Sequence, residues 1–234
     1  MANNQNQGVE SNEALLKSEA FINKNKKPLL IILVALLVII GGTFAYKGLI
    51  SNPRNEKAST ILGKGQEYFN QEQFEVALNG DKAGYIGFVQ IADEYGSTDA
   101  GNLAKLYAGL CYANLGKWQQ AEEYLEKYST SSDAMVSPAA TAALGDAYAH
   151  LNQLDKAVDC FKKAASMADG EAEDGTNNSL SPTFLLKAGK ILESQGKNAD
   201  ALDIYKDIKA KYVNSALVGS SEIDKYIERA TLNK

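Results

Sequence analysis

Two hydrophobic patterns divide this chain. From Leu29 to Tyr46 no residue is charged, and most are Leu, Ile or Val. A helix apolar on every side has no place on the surface of a helical domain in water. Beyond residue 50 the apolar positions gather instead into helical stripes with polar residues between them. Phe88, Ile91 and Tyr95 form one stripe, and Ile223, Tyr226, Ile227 and Ala230 another.

The second pattern repeats. Gly-x2-Tyr, followed nine residues later by Ala, occurs as Gly65-Tyr68-Ala77, Gly109-Tyr112-Ala121 and Gly145-Tyr148-Ala157, and Gly189-Leu192-Ala201 keeps the spacing with Leu. Gly to Ala is twelve residues in each copy. A constant spacing on a recurring frame marks a repeat architecture. Each frame predicts two antiparallel helices, with the Gly midway along the first and the Ala early in the second. Gly facing Ala lets the backbones approach closely, and the aromatic one turn after the Gly fills the wedge between neighbouring pairs. A bulky residue four after the Ala, Leu125, Phe161 or Tyr205, lies on the same helix face. Gly116, Asn152 and Gly196 stand where a left-handed turn is needed. The first copy has Asp81 at the bulky position, so its second helix is expected to start late, after Asn79-Gly80-Asp81. Residues 168–181 read as an acidic loop, and 220–232 as a terminal capping helix.

These residues resemble the tetratricopeptide repeat, whose core is matched best by residues 138–171 through Gly145, Tyr148, Ala157, Phe161 and Ala164. Departures are present. The Trp that opens the pattern is missing, with Lys105 and Leu185 at that place in two copies, and Trp118 lies in a turn. Frame-to-frame distances are 44, 36 and 44 residues. The expected fold is all-α: an N-terminal transmembrane helix, an α-solenoid of about four tetratricopeptide-like helix pairs and a C-terminal capping helix.

The apolar run predicts the domain plan. Eighteen residues at 1.5 Å each, with Pro28 and the flanks, suit a hydrocarbon core of ~30 Å. The run is longer than a signal-peptide core, and Thr43-Phe44-Ala45 is a poor cleavage site. An uncleaved anchor over 28–50 follows, with a cytoplasmic tail at 1–27 and an extracytoplasmic repeat domain at 51–234. Lys17, Lys24, Lys26 and Lys27 precede the span, while Lys47, Arg54 and Lys57 are more spread out beyond it. This bias places the N-terminus in the cytoplasm and the repeats in the periplasm of a bacterial inner membrane. The first dozen residues are Asn- and Gln-rich and read as disordered, and Glu13 to Asn23 as a short helix.

Charge and chemistry narrow the function. Of 24 Lys and Arg, 19 follow residue 50, as do 26 of 29 Asp and Glu, so the repeat region carries about −7. Nucleic-acid binding would call for clustered basic residues instead. Cys111 and Cys160 fall on different frames outside any metal-ligand spacing and read as two buried free thiols. His150 is the only histidine and ends a first helix. The reading is of no catalytic residues, no metal and no cofactor.

A binding face is expected where first helices line the concave side of a solenoid. Residues three before and one after each Gly point into it: Leu62 and Gln66, Leu106 and Leu110, Ala142 and Asp146, Leu186 and Lys190. Helix ends add Phe69, Asn114, His150 and Glu193. Such a face, apolar at its centre and polar at its rim, suits an extended peptide or a partner helix. The bland alternative is that several of these Leu residues are core.

The whole layout resembles the ancillary SecYEG translocon subunit (YfgM-like) family. The resemblance rests on Ser18-Glu19-Ala20-Phe21-Ile22, the Lys-Lys-Pro entry to one span, and the repeats. Ala77-Leu78-Asn79-Gly80-Asp81, Ile91-Ala92-Asp93-Glu94-Tyr95-Gly96 and Gly101-Asn102-Leu103-Ala104 are similar to its Bacteroidetes-type members. It implies docking at a SecYEG-type channel and work beside a membrane-anchored periplasmic prolyl-isomerase chaperone on exported client chains, without catalytic residues. The expected function is a membrane-anchored scaffold. The alternative is a structural adaptor for envelope biogenesis or cell-division machinery.

Overall fold

The computed structural model describes residues 52–233, together with 25–27, 32, 35–40 and 42. It separates into two units, 1–54 and 55–234. In the first, residues 35–40 are helical, and Ile32 and each residue from Leu36 to Ile40 are about half exposed or more. No helix among the described residues is long and apolar enough to cross a membrane. Most of the span expected at 28–50, and all of the helix expected at 13–23, lie outside the described residues.

The regular secondary structure of the second unit is all helical among its described residues. First helices are α1 (Asn52–Asn70), α4 (Asp99–Asn114), α6 (Val136–His150) and α8 (Ser181–Ser194). The second helices of pairs two to four are α5 (Trp118–Glu126), α7 (Leu154–Gly170) and α9 (Asn198–Lys211). In the first pair that role is split between α2 (Phe74–Asn79) and α3 (Phe88–Glu94). The short α10 (Ala216–Gly219) leads into α11 (Glu222–Leu232). In pairs two to four each second helix packs on its own first helix, and α3, α5 and α7 pack on the first helix that follows. The capping helix α11 lies on α9, with Ile223 and Ala230 fully buried.

One turn is built four times. The backbone N–H groups of Gly116, Asn152 and Gly196 bond back three residues, and those of Lys117, Gln153 and Lys197 bond to the carbonyls of Tyr112, Tyr148 and Leu192. This is the double closure of a Schellman turn, which needs one left-handed residue. Gly116, Asn152 and Gly196 supply it with φ of 71°, 59° and 73°. Glu72 takes that conformation in the first pair, φ 58°, with Gln73 N–H on Tyr68 O. The frame Tyr or Leu thus fixes the turn through its backbone.

The glycines face a different partner from the one expected. A Cβ built on Gly109 would lie 2.6 Å from Leu125 Cγ, on Gly145 3.1 Å from Phe161 Cε1, and on Gly189 2.3 Å from Tyr205 Cε1. The missing side chain makes room for the bulky residue four after the Ala rather than for the Ala. In the first pair Tyr85 and Phe88 share this place, the Tyr85 hydroxyl 2.3 Å and Phe88 Cε1 2.5 Å from a Cβ on Gly65. The late start expected there is half right. The second helix begins on time, stops at Asn79, loops over residues 80–87 and resumes at Phe88, delivering the ring to the vacant place. Asp81 holds the loop, accepting from the N–H groups of Ala83 and Tyr85 at 2.8 and 2.9 Å and from the Tyr68 hydroxyl. Lys64 and these donors hold its carboxyl well below the usual carboxylate range.

Candidate protein-binding face

The first helices neighbour one another, and their contacts follow the frame. The residue one after a frame Gly meets the residue two before the next. Gln66 donates to the Tyr107 hydroxyl at 3.0 Å, and the two carboxylate oxygens of Asp146 accept from Lys187 at 2.8 and 2.7 Å. The same places between α4 and α6 hold Leu110 and Ala143, both half-buried against the cluster around Leu106. The junctions therefore run from polar-aromatic through apolar to ionic. Neither Tyr107 nor Lys187 is among the expected residues, although aligning the frames would have placed both opposite Gln66 and Asp146.

The twelve expected residues divide by burial. Leu62, Leu106 and Ala142 are 5, 6 and 4% exposed and belong to the core, so they are corrected out of the surface. A helix residue three before the Gly points between the pairs rather than away from them, and Leu106 packs with Ala121, Leu125, Ala140 and Ala147. Leu186 is half-buried against the core of the last two pairs. Gln66, Phe69, Leu110 and Asp146 are half-buried, and Asn114, His150 and Lys190 are exposed. Phe69 stands edge-on to Phe74 and Tyr107 with ring centres 5.5 and 5.2 Å away. His150 stacks flat on Trp118, ring centres 3.6 Å apart. Asn114 donates to the Leu110 carbonyl. Glu193 is engaged by Arg229 of α11 at 2.9 and 2.6 Å and by the Tyr205 hydroxyl at 2.6 Å. Those bonds, Arg229 foremost, lower its carboxyl pKa, so Glu193 locks the cap.

A polar ladder follows the turn edge. Lys117 pairs with Glu75 at 2.9 Å, Gln153 donates to Glu122 at 3.2 Å, and Lys197 pairs with Asp155 at 2.9 Å. Each donor is the residue just before a second helix and reaches an acid in the first five residues of the previous one. The opposite edge has a buried counterpart. Asp169, at the end of α7, accepts from the Ser181 and Tyr212 hydroxyls at 2.6 and 2.7 Å, from Asn177 N–H and from Lys211. Burial pushes its carboxyl pKa up, but these donors more than offset that and lower it.

The thiols differ. Cys111 is fully buried, and burial pushes its pKa up to about 12. Cys160 is half-buried and lines a cavity of about 400 Å³ with Leu125, Ala140, Leu144 and Lys163. The cavity opens where α5 ends after Glu126, whereas α7 runs nine residues past its corresponding Phe161. No group of His, Cys, Asp and Glu among the described residues could hold a metal ion.

Comparison with known proteins gives the repeats their type. Residues 140–170 match one tetratricopeptide repeat model, and residues 103–131 and 184–215 match another. These segments carry pairs three, two and four. A crystal structure of nearly identical TPR-like repeats from Podosopora anserina, described as a kinesin light chain, aligns at 14% identity and a TM-score of 0.47, covering 78% of this chain and 93% of that one. A single-substitution variant of it gives the same values. No curated protein matches the chain. The fold is a TPR-like helical repeat, and such repeats are protein–protein interaction scaffolds.

Proposed function

We propose that this chain is a membrane-anchored protein-binding scaffold of the bacterial inner membrane. Its first helices present a groove to an extended segment or helix of a partner, and its span holds that groove at the periplasmic surface. The observation that carries the reading is the pairing of three matched repeats with an exposed apolar run. Ile32 and Leu36 to Ile40 are 49–68% exposed, where a protein living wholly in water rarely leaves so continuous a patch uncovered. Scaffolds of this type are generally non-catalytic.

In the finer reading it serves as an accessory subunit of the Sec translocon, beside periplasmic chaperones acting on exported chains. The support is the layout of a Lys-Lys-Pro entry, one apolar run and tetratricopeptide repeats. Purification from membranes in mild detergent tests it. Co-purification of channel subunits supports the translocon role. Recovery of division or envelope-assembly complexes instead favours a structural adaptor. Release of the chain by alkaline carbonate contradicts the anchor.

A further inference from the structure

The three junctions between helix pairs are held differently. Pair one and the first helix of pair two share an apolar core, in which Tyr107 of α4 stacks on Phe88 of α3 with ring centres 5.1 Å apart. Pairs three and four share another with the cap α11. Three ion pairs reinforce it, Asp146–Lys187, Asp155–Lys197 and Asp169–Lys211, each acid from pair three and each lysine from pair four.

Between pairs two and three the core is small. Its buried members are Leu106, Ala121, Leu125, Ala140 and Ala147, and the two that α6 contributes are alanines. Although α5 is longer than α3, it packs more thinly on the helix that follows it. The cavity of about 400 Å³ beside Leu125, Ala140, Leu144 and Cys160 lies in this seam. Polar contacts across the seam are the Trp118–His150 stack, the Tyr148 hydroxyl on Glu126 and Gln153 on Glu122, none of them an ion pair. In a solenoid each interface holds only its own two neighbours. The interface with the least buried apolar surface therefore yields first.

The connecting loop divides at one residue. Ser129 is tied to pair two: its N–H donates to Asn102 Oδ1 at 2.8 Å, and its carbonyl accepts from Asn102 Nδ2 at 2.7 Å. Ser131 is tied to pair three by its N–H on Ser137 Oγ at 2.9 Å, and Asp133 caps the same helix. Thr130 stands between these anchors and is exposed. The Tyr128 hydroxyl crosses to Ser137 at 3.2 Å, a neutral bond of modest net strength.

We propose that the repeat unit bends as two blocks, pairs one and two against pairs three and four with the cap, about a hinge at Thr130. A hinge of this kind is a short loop segment that absorbs a backbone rotation while the elements on either side stay packed. Rotation at Thr130 narrows or widens the cavity and changes the separation of Leu110 on α4 from Ala143 on α6. The hinge thereby sets the width of the first-helix face at its apolar middle. It acts whatever binds that face.

The test reads distances in the full chain, in mild detergent, by electron–electron double resonance. Nitroxides are attached through a ketone-bearing amino acid, which leaves Cys111 and Cys160 untouched, at Glu123 and Asp159 or at Asp159 and Asp203. These positions are exposed and stand two residues after the frame Ala of successive pairs, so the two spacings are equivalent. The expected distribution is about twice as broad for 123–159 as for 159–203. Equal widths overturn the proposal, and this comparison needs no change in the core. Ala140→Met or Cys160→Met, folded by circular dichroism, fills part of the cavity and is expected to narrow the 123–159 distribution while leaving 159–203 as it was. An unchanged 123–159 width in both variants also overturns it.

Discussion

Gly189 leaves no room for a methyl group beneath Tyr205: a Cβ there would stand 2.3 Å from Cε1 of a ring that is fully buried. At Gly145 the distance to Phe161 is 3.1 Å. The fourfold frame is therefore one device set to different tightness in each pair.

Gly189→Ala is accordingly expected to destabilise the protein by roughly 1–3 kcal/mol, the usual cost of overpacking. Gly145→Ala is expected to come out near neutral, because the few tenths of an ångström that Phe161 and Cys160 must yield are offset by about 1 kcal/mol of helix propensity. Urea unfolding of the purified protein reads both. Equal losses would contradict the assigned geometry.

Asp169 gives the stability a defined pH dependence. Its folded carboxyl lies below the ordinary value of about 3.9. The stability it contributes is therefore present above that value and is lost as pH falls through the folded pKa. Asp169→Asn is expected to cost roughly 2–4 kcal/mol at neutral pH, since it removes a buried charge with its donors in place. The loss relative to the native chain should shrink below pH 4. A constant loss down to pH 2 in chemical-denaturation curves would contradict the role.

Leu106 and Leu110 lie one turn apart on α4 and are expected to behave differently. Leu106→Glu buries a charge in the cluster of Leu125, Ala140 and Ala147 and should unfold pair two or lower the melting temperature sharply. Leu110→Glu should retain the fold by circular dichroism and lose partner capture. The reverse pattern would return Leu106 to the surface.

The cap is the fourth test. Ile223 is fully buried against the last pair, so Ile223→Ala is expected to cost roughly 2–5 kcal/mol. Because neighbouring repeats stabilise one another in sequence, hydrogen exchange should quicken in α8 and α9 before α4. Uniform acceleration along the unit would contradict a local cap.

The helix pairs were legible because packing imposes spacing. Gly, Tyr, Ala and the bulky residue at plus four recur in register, and Gly116, Asn152 and Gly196 supply the left-handed turns where expected. The partner of the Gly was misread as the Ala because linear spacing does not show which side chain leans across. The split second helix of the first pair was half legible: the Phe88 stripe was seen, but not the short helix at Phe74–Asn79. The ladder of Glu75–Lys117 and Asp155–Lys197 left no signal, since exposed polar residues carry no periodicity. Along the first helices the frame showed which residues share a register but not their depth. Leu62, Leu106 and Ala142 fell one layer inward, and Tyr107 and Lys187 were missed although their frame position is constant.

The central claim is that partners are held on the face of the first helices, at the membrane. It is tested most directly by site-specific photo-crosslinking in native membranes, with the probe at Leu110, His150 or Lys190 and, for comparison, at Lys162 on α7. The account predicts discrete protein adducts from the first three positions and few from Lys162, in a membrane fraction that carbonate does not strip. Adducts of equal yield from Lys162 and the first-helix positions would contradict it.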